Sequence, residues 1–481
     1  MPAFWILFSF LSYTAVLLAV SFFTSRKADN DSFFRANKRS PWFIVAYGMI
    51  GASLSGVTFI SVPGAVGNSQ FSYLAMVIGY LFGYWVIVEV LLPLYYRLNL
   101  TSIYTYLQQR FGIFAYKSGA IYFLVSRVIG ASFRMFLVVS VLQYFVLDFY
   151  HVPFAVTTAA FIVLILLYTM KAGIKTIIWT DALQTTFMLA SVIFSFYYIA
   201  QSMDLSIGSL TQKIAHSEYS KVIITDWGNP RFFLKQFFGG MFITIVMTGL
   251  DQDMMQKNLS CRNLKEAQKN MTWMSISLVP INLLFLALGA ALFIYANHFQ
   301  IEIPAKADQL FPLIAISEIG SVSAIVFIIG LIAAAYSSAD SALTALTTSM
   351  SVDIFNIENR SDLSPQEQIK YRKFIHFGMS LIVFLVIIWF SNINKDSVIN
   401  ELFKAAGYTY GPLLGLFSFG LFTKRVVIDK LIPFVVILSP MISYGLNLIA
   451  PYFGYQFGFE ILILNGGLTF LGLMFISNRA N

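Results

Sequence analysis

Four hydroxyl residues and one acid form the stretch of the chain that is best suited to bind an ion. Ser337, Ser341, Thr344 and Thr348 recur at i, i+4, i+7 and i+11 in an otherwise apolar segment, so their hydroxyls share one helical face with Asp340 beside them. Hydroxyl and carboxylate oxygens suit alkali and alkaline-earth cations. Close packing between membrane helices is the alternative, but it does not account for a deeply placed acid. The pattern therefore favours a cation site.

The composition places that helix in a membrane. Of the 481 residues, 58% are hydrophobic and only 11% are charged, whereas a soluble domain carries about a quarter charged residues. The net charge of +8 comes from Lys and Arg scattered through short connections, which is the distribution that sets membrane orientation rather than nucleic-acid binding. A single cysteine, Cys261, excludes an intramolecular disulfide and a thiolate metal cluster.

Hydropathy predicts an all-α polytopic membrane protein with about 13 transmembrane helices, a leader helix and spans one to twelve. Basic residues are concentrated in alternate connections, which predicts an outside N-terminus and a cytoplasmic C-terminus in a bacterial-type inner membrane. The predicted leader and spans cover residues 3–23, 42–65, 72–96, 119–146, 153–170, 177–201, 233–253, 271–297, 319–350, 374–391, 399–421, 427–449 and 457–477.

Glycines are concentrated in spans one and six. Span one contains Gly48, Gly51 and Gly56, and span six contains Gly239, Gly240 and Gly249. Each cluster alone is compatible with a simple kink, but two clusters five spans apart predict inverted five-helix repeats with broken first helices. The predicted units are 1–41 (leader helix and cytoplasmic connection), 42–201 (first repeat), 202–232 (external loop), 233–422 (second repeat) and 423–481 (two further helices).

Charged residues inside other spans leave several roles open. Asp181 of span five is either favoured by the helix macrodipole or completes the cation site of span eight. Span three carries Arg127 and Arg134 on one face. An arginine can hold an anionic substrate, with the deeper Arg134 the preferred candidate, or these arginines form ion pairs with Asp340, Asp181 or Glu89. Residues 249–269 read as a cytoplasmic turn and an amphipathic segment with a structural role.

Four stretches resemble one family. WTDALQ at 179–184, DQDMMQK at 251–257, YSSADSALTALTTSMSVDIF at 336–355 and AGYTYGPLLGLF at 406–417 are similar to the matching segments of the sodium/solute symporter family, which includes bacterial sialic acid, galactose and proline symporters. The resemblance covers about residues 5 to 425. It implies a leucine-transporter-type fold with an extra N-terminal helix, two inverted repeats and two extra C-terminal helices, and Na⁺ as the coupling ion.

The resemblance also implies site residues. A first sodium site would use carbonyl and hydroxyl oxygens of spans one and eight, from Gly51, Leu54, Ala334, Ser337 and Ser338. A possible second sodium site would use Asp181, Ser337, Asp340 and Ser341, although sialic acid symporters have serine at the position of Asp340. The residues expected to contact the solute are Ser53, Ser55, Thr58, Tyr73 and Arg134.

The expected function is sodium-coupled import of a small polar solute by alternating access, with no enzymatic activity, and a sugar or sialic-acid-like sugar acid is the preferred solute. The arginine of the sialic acid branch aligns with Gly130 and its span-two glutamine with Val77, so either Arg134 replaces that arginine or the solute is not a sialic acid. A carboxylate, an amino acid, a polyol and a transporter-like sensor remain alternatives. The protein is expected to act as a monomer.

Overall fold

The computed structural model describes residues 3–24, 30–170, 173–357, 360–393 and 398–478, and almost all of the regular structure there is helical. Within those ranges, eight helices are long and apolar enough to cross a membrane, a bent pair of helices makes a ninth span when taken together, and four apolar helices are shorter. Each predicted span therefore has a helix in the structure.

The leader helix is Ala3–Thr24, and spans one to five are Trp42–Ser69, Tyr73–Arg97, Ile113–Phe145, Phe154–Thr169 and Ile174–Ser202. Span six comprises Phe233–Gly249 and Gln252–Leu259, and spans seven to nine are Leu264–His298, Ser321–Ile354 and Pro365–Asn392. Span ten comprises Val398–Thr409 and Gly411–Phe422, and spans eleven and twelve are Asp429–Phe453 and Ile461–Phe475.

Short elements lie in the connections. The helices are Asn30–Arg35, Thr105–Arg110, Ile207–Ala215 and Leu310–Leu313, and single 3₁₀ turns cover Ala36–Lys38, Asp148–Tyr150, Glu218–Ser220 and Ala307–Gln309. Strand β1, Val426–Val427, pairs antiparallel with strand β2, Ser477–Asn478, with Val426 opposite Asn478. This pair joins the end of span ten to the end of span twelve.

The two predicted breaks are present. In span one, Ser55 has φ 41° and ψ 170°, a left-handed conformation that a non-glycine residue adopts only at a cost. In span six, the two helices meet at 63°. Asp251 is extended there, and its side chain accepts the backbone N–H groups of Asp253 at 3.0 Å and Met254 at 3.4 Å, which caps the second helix.

Corresponding spans of the two repeats make corresponding contacts. Span one packs along span seven, and span two packs along the first half of span six. Span one corresponds to span six and span two to span seven, so these two contacts are equivalent in the two repeats. The second pair approaches closely at two glycines. A Cβ on Gly79 would lie 2.1 Å from the Phe237 carbonyl oxygen, and a Cβ on Gly240 would lie 2.2 Å from the Met76 carbonyl oxygen.

Span ten differs from the expectation of one helix over 399–421. The helix ends at Thr409 and a new one begins at Gly411. The cause is in the sequence, because Pro412 has no backbone N–H to donate into the preceding turn.

The interpretation of residues 249–269 as a cytoplasmic connection is wrong for its first half. Gln252–Leu259, called here the inner half-helix, is a helix whose eight residues are all buried. Its charged side chains find partners on other spans, so its polar composition does not make it a surface segment.

Candidate functional site

A narrow cavity lies beside the break in span one. Its volume, counted over the positions that the centre of a water molecule can take, is about 80 Å³. That is room for several waters. All five residues expected to contact a solute, Ser53, Ser55, Thr58, Tyr73 and Arg134, lie in its wall. The structure therefore brings together side chains from spans one, two and three, whose sequence positions are up to 81 residues apart.

The two arginines of span three differ in their partners. Arg127 donates to Asp253, and its Nη1 lies 3.8 Å from Oδ2 of Asp251. Both acids are buried on span six. Arg134 forms no ion pair with any residue of the described ranges, and its buried Nε finds no hydrogen-bond acceptor among them. Arg134 is thus the arginine whose charge is available to a solute.

A wide cavity adjoins the narrow one. It provides about 680 Å³, and Tyr73 and Phe403 line both cavities. The hydroxyl of Tyr73 lies 3.0 Å from that of Tyr80, which also lines the narrow cavity. Tyr73 and Phe403 thus lie where the two spaces meet, so a solute reaching Arg134 from the wide cavity passes them.

Sequence reasoning missed several polar residues of the narrow cavity. Tyr80 of span two and Asn282 of span seven both line it. Asn282 donates from Nδ2 to the Leu278 carbonyl at 2.8 Å, while its buried Oδ1 has no partner in the described part of the chain. A lone amide two residues after Pro280, inside an apolar run, was the signal that could have found it.

Asp181 lies at the centre of a buried polar cluster on span five. Its Oδ1 accepts the hydroxyl of Ser337 at 2.7 Å. The Gln184 amide lies beside it and can donate to the same oxygen at 3.1 Å when its nitrogen is turned toward the carboxylate. Its Oδ2 accepts the ammonium group of Lys257 at 2.7 Å. Of the residues expected to form a second sodium site, Asp181 and Ser337 are therefore in contact, and a lysine that sequence reasoning did not include shares that position.

Asp340 and Ser341 lie beside this cluster. The Asp340 carboxylate accepts the Tyr168 hydroxyl at 3.0 Å and the Ser341 backbone N–H at 2.6 Å. Among the described residues, Asp340 forms no ion pair with Arg127 or Arg134. The described structure therefore does not contain the alternative pair between Asp340 and one of these arginines. The Ser341 hydroxyl is buried beside the Asp181 carboxylate, so a second hydroxyl of span eight adjoins the cluster.

Two residues expected to form the first sodium site, Gly51 and Ser337, contact neighbouring residues of span five. The Gly51 N–H donates to the Thr185 hydroxyl at 3.1 Å, and that hydroxyl donates to the Asp181 carbonyl at 2.8 Å. Thr185, one turn after Asp181, is a further residue that sequence reasoning missed, although the i+4 spacing signals a shared face.

The remaining members of the first site are also buried. Ser338 donates to the Ala334 carbonyl at 2.9 Å, and Leu54 lines the narrow cavity. Spans one and eight are in contact here, as shown by a Cβ on Gly56 that would lie 4.0 Å from Ala335 Cα. The oxygen atoms of this region are carbonyls, hydroxyls and carboxylates, a donor set of the kind that alkali cations prefer.

Comparison with known proteins identifies the class. The model of the sodium:solute symporter family matches residues 33–429, and the chain belongs to that family. The expected family, the helical fold with its broken spans, and the class of sodium-coupled membrane symporters are thereby confirmed.

Individual relatives agree over most of their length. The sodium/sialic acid symporter SiaT of Proteus mirabilis is 25% identical over 92% of this chain and 90% of its own, and the sodium/sialic acid symporter NanT of Aliivibrio fischeri is 24% identical over 86% and 82%. A solved structure of a Na⁺-coupled sialic acid symporter, substrate-bound and outward-open, superposes with a TM-score of 0.83 at 22% identity, covering 99% of both chains. Mhp1, a nucleobase-cation-symport-1 family transporter, gives 0.58 at 15% identity, covering 91% of this chain and 92% of its own.

Proposed function

We propose that this protein imports an anionic sugar derivative, a sugar acid with one carboxylate, together with Na⁺ across a bacterial inner membrane. The observation that carries the proposal is the free guanidinium of Arg134 in the wall of the narrow cavity. Two arginines, Arg127 and Arg134, line that cavity, and none of its described lining residues is an acid.

The charge balance around the cavity supports an anionic solute. Arg127 is paired with Asp251 and Asp253, which lie outside the lining. Arg134 has no such partner among the described residues, and a buried charge is costly unless it is paired. A carboxylate on the solute supplies the missing partner, and the planar fork of arginine can hold it through two hydrogen bonds.

The other lining residues support a polyhydroxylated solute. Ser53, Ser55 and Thr58 offer hydroxyls on span one, and Asn282 offers an amide oxygen without a partner in the described chain. These groups can exchange hydrogen bonds with sugar hydroxyls. Two relatives that cover most of this chain are sodium/sialic acid symporters, which adds support for a sugar acid.

The wide cavity carries charges of the same sign. Arg231, Lys306 and Lys404 line it, and none of its described lining residues is Asp or Glu. Under the orientation expected from the basic connections, this cavity faces the outside. A cleft lined by cations concentrates anions at its mouth and raises their rate of entry.

Sodium is proposed to bind between spans one and eight, with oxygen atoms from Gly51, Leu54, Ala334, Ser337 and Ser338. An ion that binds the outward- and inward-facing states with different affinity shifts the equilibrium between them, and this difference couples the two movements. Each sodium entering at a membrane potential of 100 mV contributes about 2.3 kcal/mol, in addition to its concentration gradient.

Uptake into proteoliposomes tests the proposal. Radiolabelled N-acetylneuraminate is expected to accumulate under an inward Na⁺ gradient and not under an equal K⁺ gradient. Unlabelled glucuronate should compete, whereas galactose, which lacks the carboxylate, should not. Competition by galactose at equal concentration contradicts the anionic class, and competition by lactate but not by glucuronate points to a small monocarboxylate.

Two variants locate the effect. Arg134→Gln should weaken sugar-acid affinity by about a hundredfold, because it removes a charge-assisted bidentate contact. Arg425→Gln removes an arginine that contacts Met474 and Ser477 at the ends of spans ten and twelve, and it should leave affinity unchanged. Equal affinity in Arg134→Gln and the unmodified protein contradicts the assignment of Arg134.

A further inference from the structure

Lys257 lies where a second sodium ion was expected. Its Nζ is 2.7 Å from Asp181 Oδ2, and both side chains are 1% exposed. This ion pair connects span five with the inner half-helix of span six, across 76 residues of sequence. Asp181, one of the four residues expected to hold a cation here, is therefore already paired with an ammonium group.

Each oxygen of the Asp181 carboxylate already accepts a hydrogen bond. Oδ2 accepts Lys257, and Oδ1 accepts the Ser337 hydroxyl. A sodium ion on either oxygen would lie next to the ammonium group, and like charges in a buried site repel strongly because little water screens them. The two cations thus exclude one another.

The break in span six fixes the position of Lys257. The inner half-helix starts at its cap, Asp251, and is turned by 63° from the first half of the span. Lys257 lies six residues after the cap, and its Nζ is also 4.0 Å from Asp253. Since Asp253 is already paired with Arg127, Asp181 remains the main partner of the lysine.

The Asp181–Lys257 pair carries no net charge, so it offers no unbalanced negative charge to a second cation. Asp340 lies beside the pair and accepts hydrogen bonds from the Tyr168 hydroxyl and the Ser341 backbone N–H.

We propose that Lys257 is a tethered cation that takes the place of the second sodium ion, so that the protein binds one sodium ion per transport cycle. The proposal rests on sodium coupling through the first site between spans one and eight. Under this proposal the second positive charge belongs to the inner half-helix, where it stabilises the packing of span six on span five. The sodium gradient then supplies one ion per cycle and not two.

Equilibrium binding of ²²Na⁺ to the purified full-length protein in detergent, without solute, measures the number of ions directly. The unmodified protein should bind one ion. Lys257→Met removes the ammonium and keeps the aliphatic volume, and it should bind two. The double variant Lys257→Met with Asp181→Asn removes the freed carboxylate as well and should return to one, and Lys257→Arg, which keeps the charge, should stay at one.

The outcomes separate this inference from the proposed function. Two ions on the unmodified protein overturn the inference and leave sodium coupling intact. No bound sodium at all means that the proposed sodium coupling fails. One ion on folded Lys257→Met, with an unchanged melting temperature, also overturns the inference. If Lys257→Met does not fold, the counts for the unmodified protein and for Lys257→Arg decide, since two ions on either one contradict a tethered cation.

Discussion

Nη1 of Arg127 lies 3.8 Å from Oδ2 of Asp251, the residue that caps the inner half-helix. The same carboxylate oxygen accepts the hydroxyl of Tyr410 at 2.5 Å, where span ten is divided. Spans three, six and ten are therefore joined at one buried point. Arg127 also lines the narrow cavity and Asp251 does not, so this junction at the start of the inner half-helix lies behind the cavity wall.

The stability of that junction should depend on Asp253. Asp253→Asn keeps the size of the side chain but leaves Arg127 without its main carboxylate partner, and breaking one member of a buried ion pair typically costs about 3–5 kcal/mol. The midpoint of thermal unfolding should fall by several degrees, as measured by scanning fluorimetry in detergent.

Asp362→Asn is the matched control for this change. It breaks an aspartate–arginine pair with Arg360 whose side chains are 60% and 47% exposed, and such pairs contribute little to stability. The control should leave the midpoint unchanged. Equal midpoints in both variants contradict a holding role for the Arg127 pair.

The contacts of the inner half-helix show where sequence reasoning reached its limit. Its polar, charged composition predicted a surface segment, because charges without a local partner usually face water. Arg127 and Asp181, the partners of Asp253 and Lys257, lie 126 and 76 residues away in the chain. No local pattern reveals such pairings, so the lysine at Asp181 was missed.

The breaks and the cavity residues were predictable for a different reason. Glycine clusters carry information about backbone conformation within a few residues, and the breaks at Ser55 and Asp251 fall beside such clusters. The residues matched to a family motif on span one line one cavity. Asn282 belongs to a helix without a recognised motif and was not included.

The first sodium site predicts a specific effect of Ser338→Ala. Ser338 donates only to the carbonyl of Ala334 in its own helix, so its removal leaves no buried group unpaired and should change stability little. The lost hydroxyl oxygen should weaken sodium affinity at least tenfold, as measured by the sodium dependence of uptake.

Ser443→Ala serves as the comparison. Ser443 of span eleven is equally buried and donates to the Ser439 carbonyl at 2.8 Å, the same i−4 contact outside the predicted site. Sodium dependence should stay unchanged in this variant. An unaltered sodium affinity in Ser338→Ala would remove Ser338 from the site.

Substitutions at Ser55 can distinguish the role of its backbone conformation from the role of its hydroxyl. Glycine tolerates a φ of 41° without strain, whereas a β-branched residue does not. Ser55→Gly should therefore keep the thermal midpoint while lowering solute affinity through the loss of the hydroxyl, and Ser55→Val should lower the midpoint as well. A stable, fully active Ser55→Val protein would show that the break does not need this backbone conformation.

The contact between spans two and six is tight enough to test with a single methyl group. A Cβ on Gly79 would lie 2.1 Å from the Phe237 carbonyl oxygen, and a backbone atom cannot move away as a flexible side chain can. Gly79→Ala should separate the two helices and lower the thermal midpoint. At Gly378 of span nine, a Cβ meets no atom within 4 Å, so Gly378→Ala should be neutral or slightly stabilising, since alanine favours helix.

Cys261 follows the inner half-helix and reports on the packing there. Its side chain is 0% exposed, and burial raises the pKa of its thiol to about 12. Since the thiolate is the reacting form, maleimide should label the folded protein very slowly at pH 7. The labelling rate should rise about tenfold per pH unit up to pH 10 without a plateau, because the pKa lies above that range. The same protein unfolded in detergent should take up one label rapidly, with a plateau above about pH 9. Rapid labelling of the folded protein at pH 7, followed by mass spectrometry, would contradict the close packing around Cys261.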